Sequence, residues 1–400
     1  MDIEEKIALV QRPPTEEIVT LNELRTLFET RASPKHYIGL EISGKLHLGS
    51  LIIPGFKIND FIKAGIQSNV FLADWHTYIN NKLNNDWALI EKISQYYEKA
   101  FKFFCPGVNI IFGSDLYKET DDYWKNFIIF SKQITLARTL RSLTIMGRTE
   151  KDTLDFSQLL YPSMQSVDIK ALDLDIVHAG TDQRKIHMLV REVFPKLNWK
   201  VPVSVHHHIL PGLSEPTLIN SSYSTANTTN NTSNVSLSGT HSGISSMTSS
   251  SSDGAISAST ITNELLSASE SLNINNNNFD DYRIFNKMSK SNPLSSILIH
   301  DSEQEISYKI NKAYCPLGVS KDNPILEIME YIIFHQYNEI IVERPSKYGG
   351  NISYSSIDQI KLDYEQKKIH PKDLKLTTSR YLDKIISPVR KHLQNNIIQF

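Results

Sequence analysis

Residues 35–50 read KHYIGLEISGKLHLGS. Lys35–Leu40 is a short apolar run rich in β-branched and aromatic side chains, the pattern of a buried strand. A glycine-containing turn follows, and helical apolar spacing runs from His47 to Ala64. A strand that turns at glycine and feeds a helix presents unpaired N–H groups and the positive end of the helix dipole, a seat for phosphate. In that frame His47 donates a hydrogen bond to a phosphate oxygen. Gly49, with no Cβ, lets a nucleotide base approach the backbone. The stretch is neither a P-loop nor the G-x-G-x-x-G fingerprint. Taken alone, it fits a strand–turn–helix with an incidental histidine equally well.

Further along, Asn69–Asp74 (NVFLAD) and Val108–Phe112 (VNIIF) are apolar runs suited to buried parallel strands. Asp86–Phe104 between them has the spacing of an amphipathic helix, with Asp86 as its N-cap. Strands alternating with helices over 31–213 predict a Rossmann-like α/β domain with an open parallel sheet. Residues 1–30 are expected to be a helical extension in front of it. Residues 301–400 read as mostly helical, with segments at Ser302–Ala313, Pro324–Phe334, Ser355–Lys368 and Pro371–Asn395. Between the two lies a compositional break. No Lys or Arg occurs between Lys200 and Arg283, and Ser, Thr and Asn fill 36 of the 60 positions 221–280. Such a tract has little to bury against the entropy of ordering, so 214–281 is expected to be a disordered insertion. Residues 282–300 rejoin the ordered chain.

The 400 residues carry 42 Lys+Arg against 44 Asp+Glu, a formal net charge of −2. That balance excludes an arginine-rich nucleic-acid protein but allows a local basic surface. The two cysteines, Cys105 and Cys315, form no C-x-x-C pair, which excludes a zinc ribbon or disulfide scaffold and fits a reducing compartment. The acidic N-terminus lacks the apolar run of a signal peptide, and no stretch of 18 apolar residues occurs, so a cytoplasmic protein without a membrane span is expected.

Two further motifs carry chemistry. Lys287-Met288-Ser289-Lys290-Ser291 sets two lysines three apart among small hydroxylated residues, a mobile grip for phosphate. Tyr161, Gln165 and Asp168 fall at i, i+4 and i+7 on one helical face, followed by Gly180-Thr181-Asp182-Gln183. Structural readings stand beside these: Tyr161 as core, Asp168 as a surface carboxylate, Asp182 as a helix cap. His206–His208 invite a metal reading, but adjacent strand residues point to opposite faces and cannot converge on one ion. No metal site is expected.

The H-x-G-S motif at the first crossover, followed much later by KMSKS, resembles the class I aminoacyl-tRNA synthetases. The pair YPSMQSVD (161–168) and AGTDQRK (179–185) is similar to the tyrosyl-tRNA synthetase family in its archaeal and eukaryotic cytosolic branch. FLADWHTY (71–78), KINKAYCPLG (309–318), RPSKYGGN (344–351) and HPKDLK (370–375) resemble it too. The likeness covers about 31–213 and 283–393.

The resemblance implies tyrosine adenylation by ATP with Mg²⁺, then transfer to the 3′ end of tRNA(Tyr), by a homodimer whose C-terminal helical domain binds the anticodon. It assigns the tyrosine hydroxyl to Tyr37 and Asp168, the α-amino group to Tyr161 and Gln165, and a further substrate contact to Gln183. ATP falls to Gly39, Glu41, His47, Gly49, Asp182, Lys287, Met288, Ser289 and Lys290. His47, Lys287 and Lys290 act in catalysis, on phosphate charge. Tyr348, His370 and Asp373 read the anticodon. Arg138 and Arg141 are either acceptor-stem contacts or solvated surface. Ser50 departs from the family's frequent second histidine, keeping a hydroxyl donor without an imidazolium charge. A tryptophanyl enzyme and a non-catalytic tRNA-binding paralogue are the alternatives.

Overall fold

A computed structural model describes residues 1–148, 153–216, 287–288 and 294–394. Ser289, Lys290 and nearly all of the Ser/Thr/Asn tract lie outside them.

The central sheet has six strands: β1 Thr15–Val19, β2 Lys35–Glu41, β3 Gln67–Ala73, β4 Asn109–Phe112, β5 Ile176–Gly180 and β6 Val203–His207. Their order is β1-β6-β5-β2-β3-β4. All neighbours are parallel except β1, which runs antiparallel to β6. β3, β5 and β6 are buried along nearly their whole length because helices cover both faces, and this selects their apolar sequences. The expected Rossmann-like α/β architecture is what forms. The order reverses between β2 and β5, and the carboxyl ends of strands at such a reversal are where an open α/β sheet binds ligand.

The helices in this half are α1 Ile3–Gln11, α2 Leu21–Thr30, α3 Ile53–Lys63, α4 Asp74–Ile79, α5 Trp87–Phe104, α6 Gly113–Glu119, α7 Tyr123–Ser131, α8 Leu136–Ser142, α9 Tyr161–Ala171 and α10 Arg184–Val193. Asp86 caps α5 as expected, accepting from the Leu89 N–H. Residues 1–30 do not form helices alone: β1 lies between α1 and α2 and extends the main sheet through β6. The helix expected from His47 also begins differently. Leu48–Ile52 is a π-helical turn, and α3 starts only at Ile53, with Pro54 in its first turn. A proline there has no N–H to give, so the regular ladder begins beyond it.

Beyond the tract come α11 Glu303–Lys312, α12 Pro324–Ile328, α13 Ile357–Glu365 and α14 Pro371–Gln394. Ser302 caps α11 in a capping box with Glu305. The run after Pro324 passes from α12 through a π-turn, Met329–Ile333, to a last helical turn, Phe334–Gln336. The region is not wholly helical: β7 Ile340–Val342 and β8 Ile352–Tyr354 form an antiparallel pair.

Backbone pairing brings the two distant signature motifs together. Pro211 bridges to Lys287, and the Met288 N–H donates to the Leu210 carbonyl at 3.0 Å. Further on, the Leu48 N–H donates to Ile297 O at 3.1 Å and the Ile299 N–H to Leu46 O at 3.0 Å. Met288, Ile297 and Ile299 join Leu46, Leu48 and Leu51 in one apolar core, which anchors both motifs by area removed from water.

Candidate active site

A cavity of about 550 Å³ opens at the carboxyl ends of β2 and β5. Tyr37, Gly39, Glu41, His47, Gly49, Tyr161, Gln165, Asp168, Asp182, Gln183, Lys287 and Met288 all line it. Residues scattered over 250 positions of sequence therefore share one space.

At its floor, Tyr37 and Asp168 are almost fully buried, at 2% and 1% exposure. α9 delivers Asp168 one turn below Gln165 and two below Tyr161. Tyr123 Oη–H donates to Asp168 Oδ1 at 2.7 Å, and His76 Nε2 lies 3.6 Å from Oδ2. Burial pushes the Asp168 carboxyl up to about 8, and the hydrogen bonds from Tyr123 and Tyr117 only partly oppose it. Burial also lowers His76 to about 3, so it stands beside Asp168 as a neutral ring. The upward shift of Asp168 favours the protonated carboxyl, which can donate as well as accept.

Midway up, Gln165 Nε2–H donates to Gln183 Oε1 at 3.2 Å, and Gln183 Nε2–H to the Ile145 carbonyl at 2.8 Å. This fixes both amides and leaves Gln165 Oε1 buried with no partner. An unpaired buried acceptor is costly, and a ligand ammonium would satisfy it. Tyr161, 7% exposed, packs edge-on against His76 at a 4.6 Å ring separation.

At the mouth, His47 is the N-cap of the π-turn. Its Nδ1 accepts from the Gly49 N–H at 3.1 Å, so that N–H is not free for a ligand. Ser50 does not stand in as an outward donor. Its Oγ accepts from the His47 N–H at 2.8 Å and donates back to the His47 carbonyl, closing a capping box. Gly49 has a local reason besides ligand access: a Cβ there would sit 3.2 Å from the His47 ring. Glu41 accepts from Asn80 Nδ2–H at 2.6 Å. Lys287 Nζ lies 3.3 Å from Asp182 Oδ2.

Sequence reading missed His76, Tyr117 and Tyr123. His76 lies within the quoted FLADWHTY stretch, in the short helix that follows β3, and nothing in its spacing marked it. Tyr117 and Tyr123 carry no local signal at all. Arg138 is paired with Glu192 at 3.1 Å on an exposed face. His206 and His207 face opposite sides of β6, and the three histidines engage separate partners: His206 bonds His187 and Glu17, His207 bonds His178, and His208, just past the strand, bonds Glu16 and Glu327. Among the described residues, no group of three His, Cys, Asp or Glu side chains is placed to hold a metal ion.

Tyr348, His370 and Asp373 lie apart from the cavity. Tyr348 is 61% exposed beside Gly349, whose φ of +94° suits glycine. His370 Nδ1 accepts from the Lys372 N–H at the start of α14, and the Asp373 N–H donates to the His370 carbonyl. Arg344 ties the two regions together, donating to Gly350 O at 3.0 Å and Lys368 O at 2.7 Å.

A doubly wound sheet with His47 and Lys287 at the mouth of a pocket at its strand ends defines a nucleotide-using enzyme of the class I synthetase type. Residues 29–249 and 285–387 match the family of class I tRNA synthetases (W and Y), and the chain belongs to that family. It is 38% identical to a tyrosine–tRNA ligase of Pyrococcus furiosus over 99% of this chain and 96% of that one. A Saccharolobus solfataricus tyrosine–tRNA ligase is also 38% identical, over 98% and 94%. The crystal structure of a Pyrococcus horikoshii tyrosyl-tRNA synthetase complexed with L-tyrosine matches with a TM-score of 0.80 at 37% identity, covering 99% of this chain and 97% of that one. A Plasmodium falciparum tryptophanyl-tRNA synthetase, at 16% identity and a TM-score of 0.60, shares the fold.

Proposed function

We propose that the chain is a tyrosine–tRNA ligase and that its cavity holds tyrosine and ATP as follows. The observation carrying this reading is that Tyr37 and Asp168 close the buried end of the same cavity whose mouth holds His47, Asp182 and Lys287. A phenol at the floor finds partners in Tyr37 and Asp168. Phenylalanine leaves those partners unpaired, which makes its binding expensive. The ammonium meets Gln165 Oε1, with Tyr161 and Gln183 alongside.

The tyrosine carboxylate attacks the α-phosphorus of ATP. A P–O bond forms to the carboxylate, the bond to the β-phosphate bridging oxygen breaks, and pyrophosphate leaves. The nucleophile is already ionised at neutral pH, so no side-chain base is needed. Catalysis rests on positioning and on donors facing the developing charge: His47, Lys287 and, outside the described residues, Lys290. Asp182 accepts from ribose hydroxyls, while Gly39, Glu41, Gly49 and Met288 shape the nucleotide side, with Ser289 from the undescribed loop. ATP enters as its Mg²⁺ complex. At the mouth of the cavity the described carboxylates, Asp182 and Glu41, form no cage, so the ion would be held by the nucleotide's own phosphates. The adenylate then passes tyrosine to the 3′-terminal ribose of tRNA(Tyr).

Residues 31–213 form the catalytic domain, with 1–30 adding an edge strand to its sheet and 282–300 carrying the KMSKS loop, 214–281 are an insertion, and 301–400 bind the anticodon. There Tyr348 offers an aromatic face to a base, and Asp373 and His370 offer polar edges. Trp124, Ile128 and Leu136 on α7 and α8, each more than half exposed, support a homodimer built on that apolar face. Two free cysteines fit a cytoplasmic enzyme. No described helix is long and apolar enough to cross a membrane.

ATP–pyrophosphate exchange, run with each amino acid separately, tests the reading. Exchange with tyrosine alone supports it. Exchange with tryptophan overturns the specificity, and none from folded protein that binds tRNA overturns the activity.

A further inference from the structure

His207 is the last residue of β6. It lines the cavity at 7% exposure. Its Nδ1 lies 2.8 Å from His178 Nε2, while among the described residues Nε2 has no hydrogen-bond partner. The Nε2 faces the Asp182 side of the site: a Cβ on Gly180 would lie 3.5 Å from it and 2.8 Å from Asp182 Oδ1.

Which way the proton sits between the two rings decides what His207 shows the ligand. Burial lowers His178 well below the ordinary imidazole value and His207 to about 4, so each ring carries one proton. His178 packs against His36 and Phe61, and its Nδ1 is buried without a partner. An orphaned buried N–H is rarer and costlier than an orphaned lone pair. The His178 proton therefore sits on Nε2 and is donated to His207 Nδ1. The proton of His207 is left on Nε2, aimed into the cavity beside Asp182.

We propose that His207 is a nucleotide-binding residue whose Nε2–H donates to a ribose hydroxyl oxygen of ATP, while that hydroxyl donates a hydrogen bond to Asp182, with His178 holding His207 in the required tautomer. This rests on the tyrosine–tRNA ligase reading and adds a contact to its nucleotide half. A ribose hydroxyl both donates and accepts, so a carboxylate in the turn after β5 and an N–H at the end of the neighbouring β6 complete its bonding.

The test is steady-state pyrophosphate exchange with ATP and its 2′- and 3′-deoxy analogues. His207→Phe should raise KM for ATP about tenfold, the loss of one hydrogen bond. kcat and the KM for tyrosine and tRNA should stay within about twofold. His207→Gln, whose amide reaches the Nε2 position, should restore most of the loss. His207→Asn, too short to reach, should not. With one deoxy analogue the wild type should already be impaired, and His207→Phe should add nothing. In ¹⁵N-labelled wild-type protein, His207 should show a bare Nδ1 and a protonated Nε2 whose signal moves on adding MgATP. An unchanged KM for ATP in a tyrosine-active His207→Phe enzyme would overturn the assignment. So would a full loss with both analogues, or a proton on His207 Nδ1. Absence of tyrosine-dependent exchange in the wild type would instead strike the underlying reading.

Discussion

Lys287 Nζ lies 3.3 Å from Asp182 Oδ2, so the first lysine of the KMSKS motif is paired with the carboxylate expected to meet the ribose. The pair spans 105 residues of sequence and closes over the nucleotide side of the cavity. Binding ATP has to exchange it for lysine–phosphate and carboxylate–ribose contacts. The lysine is 38% exposed, so the pair adds little to stability. Lys287→Ala should leave the unfolding midpoint within about 1 kcal/mol and slow adenylate formation about a hundredfold. Urea unfolding and single-turnover exchange measure the two. Equal loss of stability and rate would mean that the lysine is structural.

Asp168 supports a prediction with a sign. Its native value, about 8, lies above the ordinary 3.8, so the native state holds a proton the unfolded chain releases. This contribution to stability is complete below about pH 4, declines as pH rises, and levels off above about 8. Asp168→Asn keeps an acceptor for Tyr123 and does not titrate. Relative to Asp168→Asn, the ligand-free wild type should therefore lose stability steadily between pH 5 and 8, by up to about 1.4 kcal/mol per unit. Asp168→Ala strands the Tyr123 hydroxyl and should relax selectivity against phenylalanine about ten- to hundredfold. Denaturant midpoints against pH and exchange with both amino acids report these. A pH-independent gap between wild type and Asp168→Asn would count against a neutral acid.

Gly180 ends β5 with its α-hydrogens against the site. A Cβ there would lie 2.8 Å from Asp182 Oδ1 and 3.3 Å from an Ile209 carbon, so one of them must move. Asp182 is the freer of the two. Gly180→Ala should raise KM for ATP about tenfold or more while tyrosine affinity, measured by calorimetry, stays unchanged. A matching loss of tyrosine affinity would show that the strand itself has shifted.

His208 joins three parts of the chain. Nδ1 is 2.5 Å from Glu16 Oε1 on β1, Nε2 is 2.7 Å from Glu327 Oε2 on α12, and the ring stacks on Tyr331. Burial alone would lower its value, but hydrogen bonds and charge from both carboxylates outweigh that, and the net shift is upward. The stabilisation is therefore full below about pH 6.5 and is lost as pH rises through the native value. The advantage of wild type over His208→Gln should shrink between pH 6 and pH 9 in urea titrations. An advantage that held constant would mean the ring acts by packing alone.

Much of this protein is legible in its sequence because the relevant signals are local. Buried strands announce themselves as short apolar runs, Asp86 as a cap, and Tyr161, Gln165 and Asp168 as one helical face through their i, i+4, i+7 spacing. Motif order supplied the chemistry. Other features depend on which residues the sheet register and the pairing of 46–48 with 297–299 bring into contact. Tyr123 and His76 surround Asp168 only in three dimensions, and the carboxyl stays protonated because they and the core exclude water. Ser50 closes its own helix start, a role that hydroxyl chemistry permits but spacing alone does not distinguish from ligand binding. Strand alternation turns His206 and His207 to opposite faces of β6. Which of them faces the nucleotide, and with which nitrogen, follows from where His178 lies and what it lacks, a property of packing across strands that are neighbours in space but not in sequence.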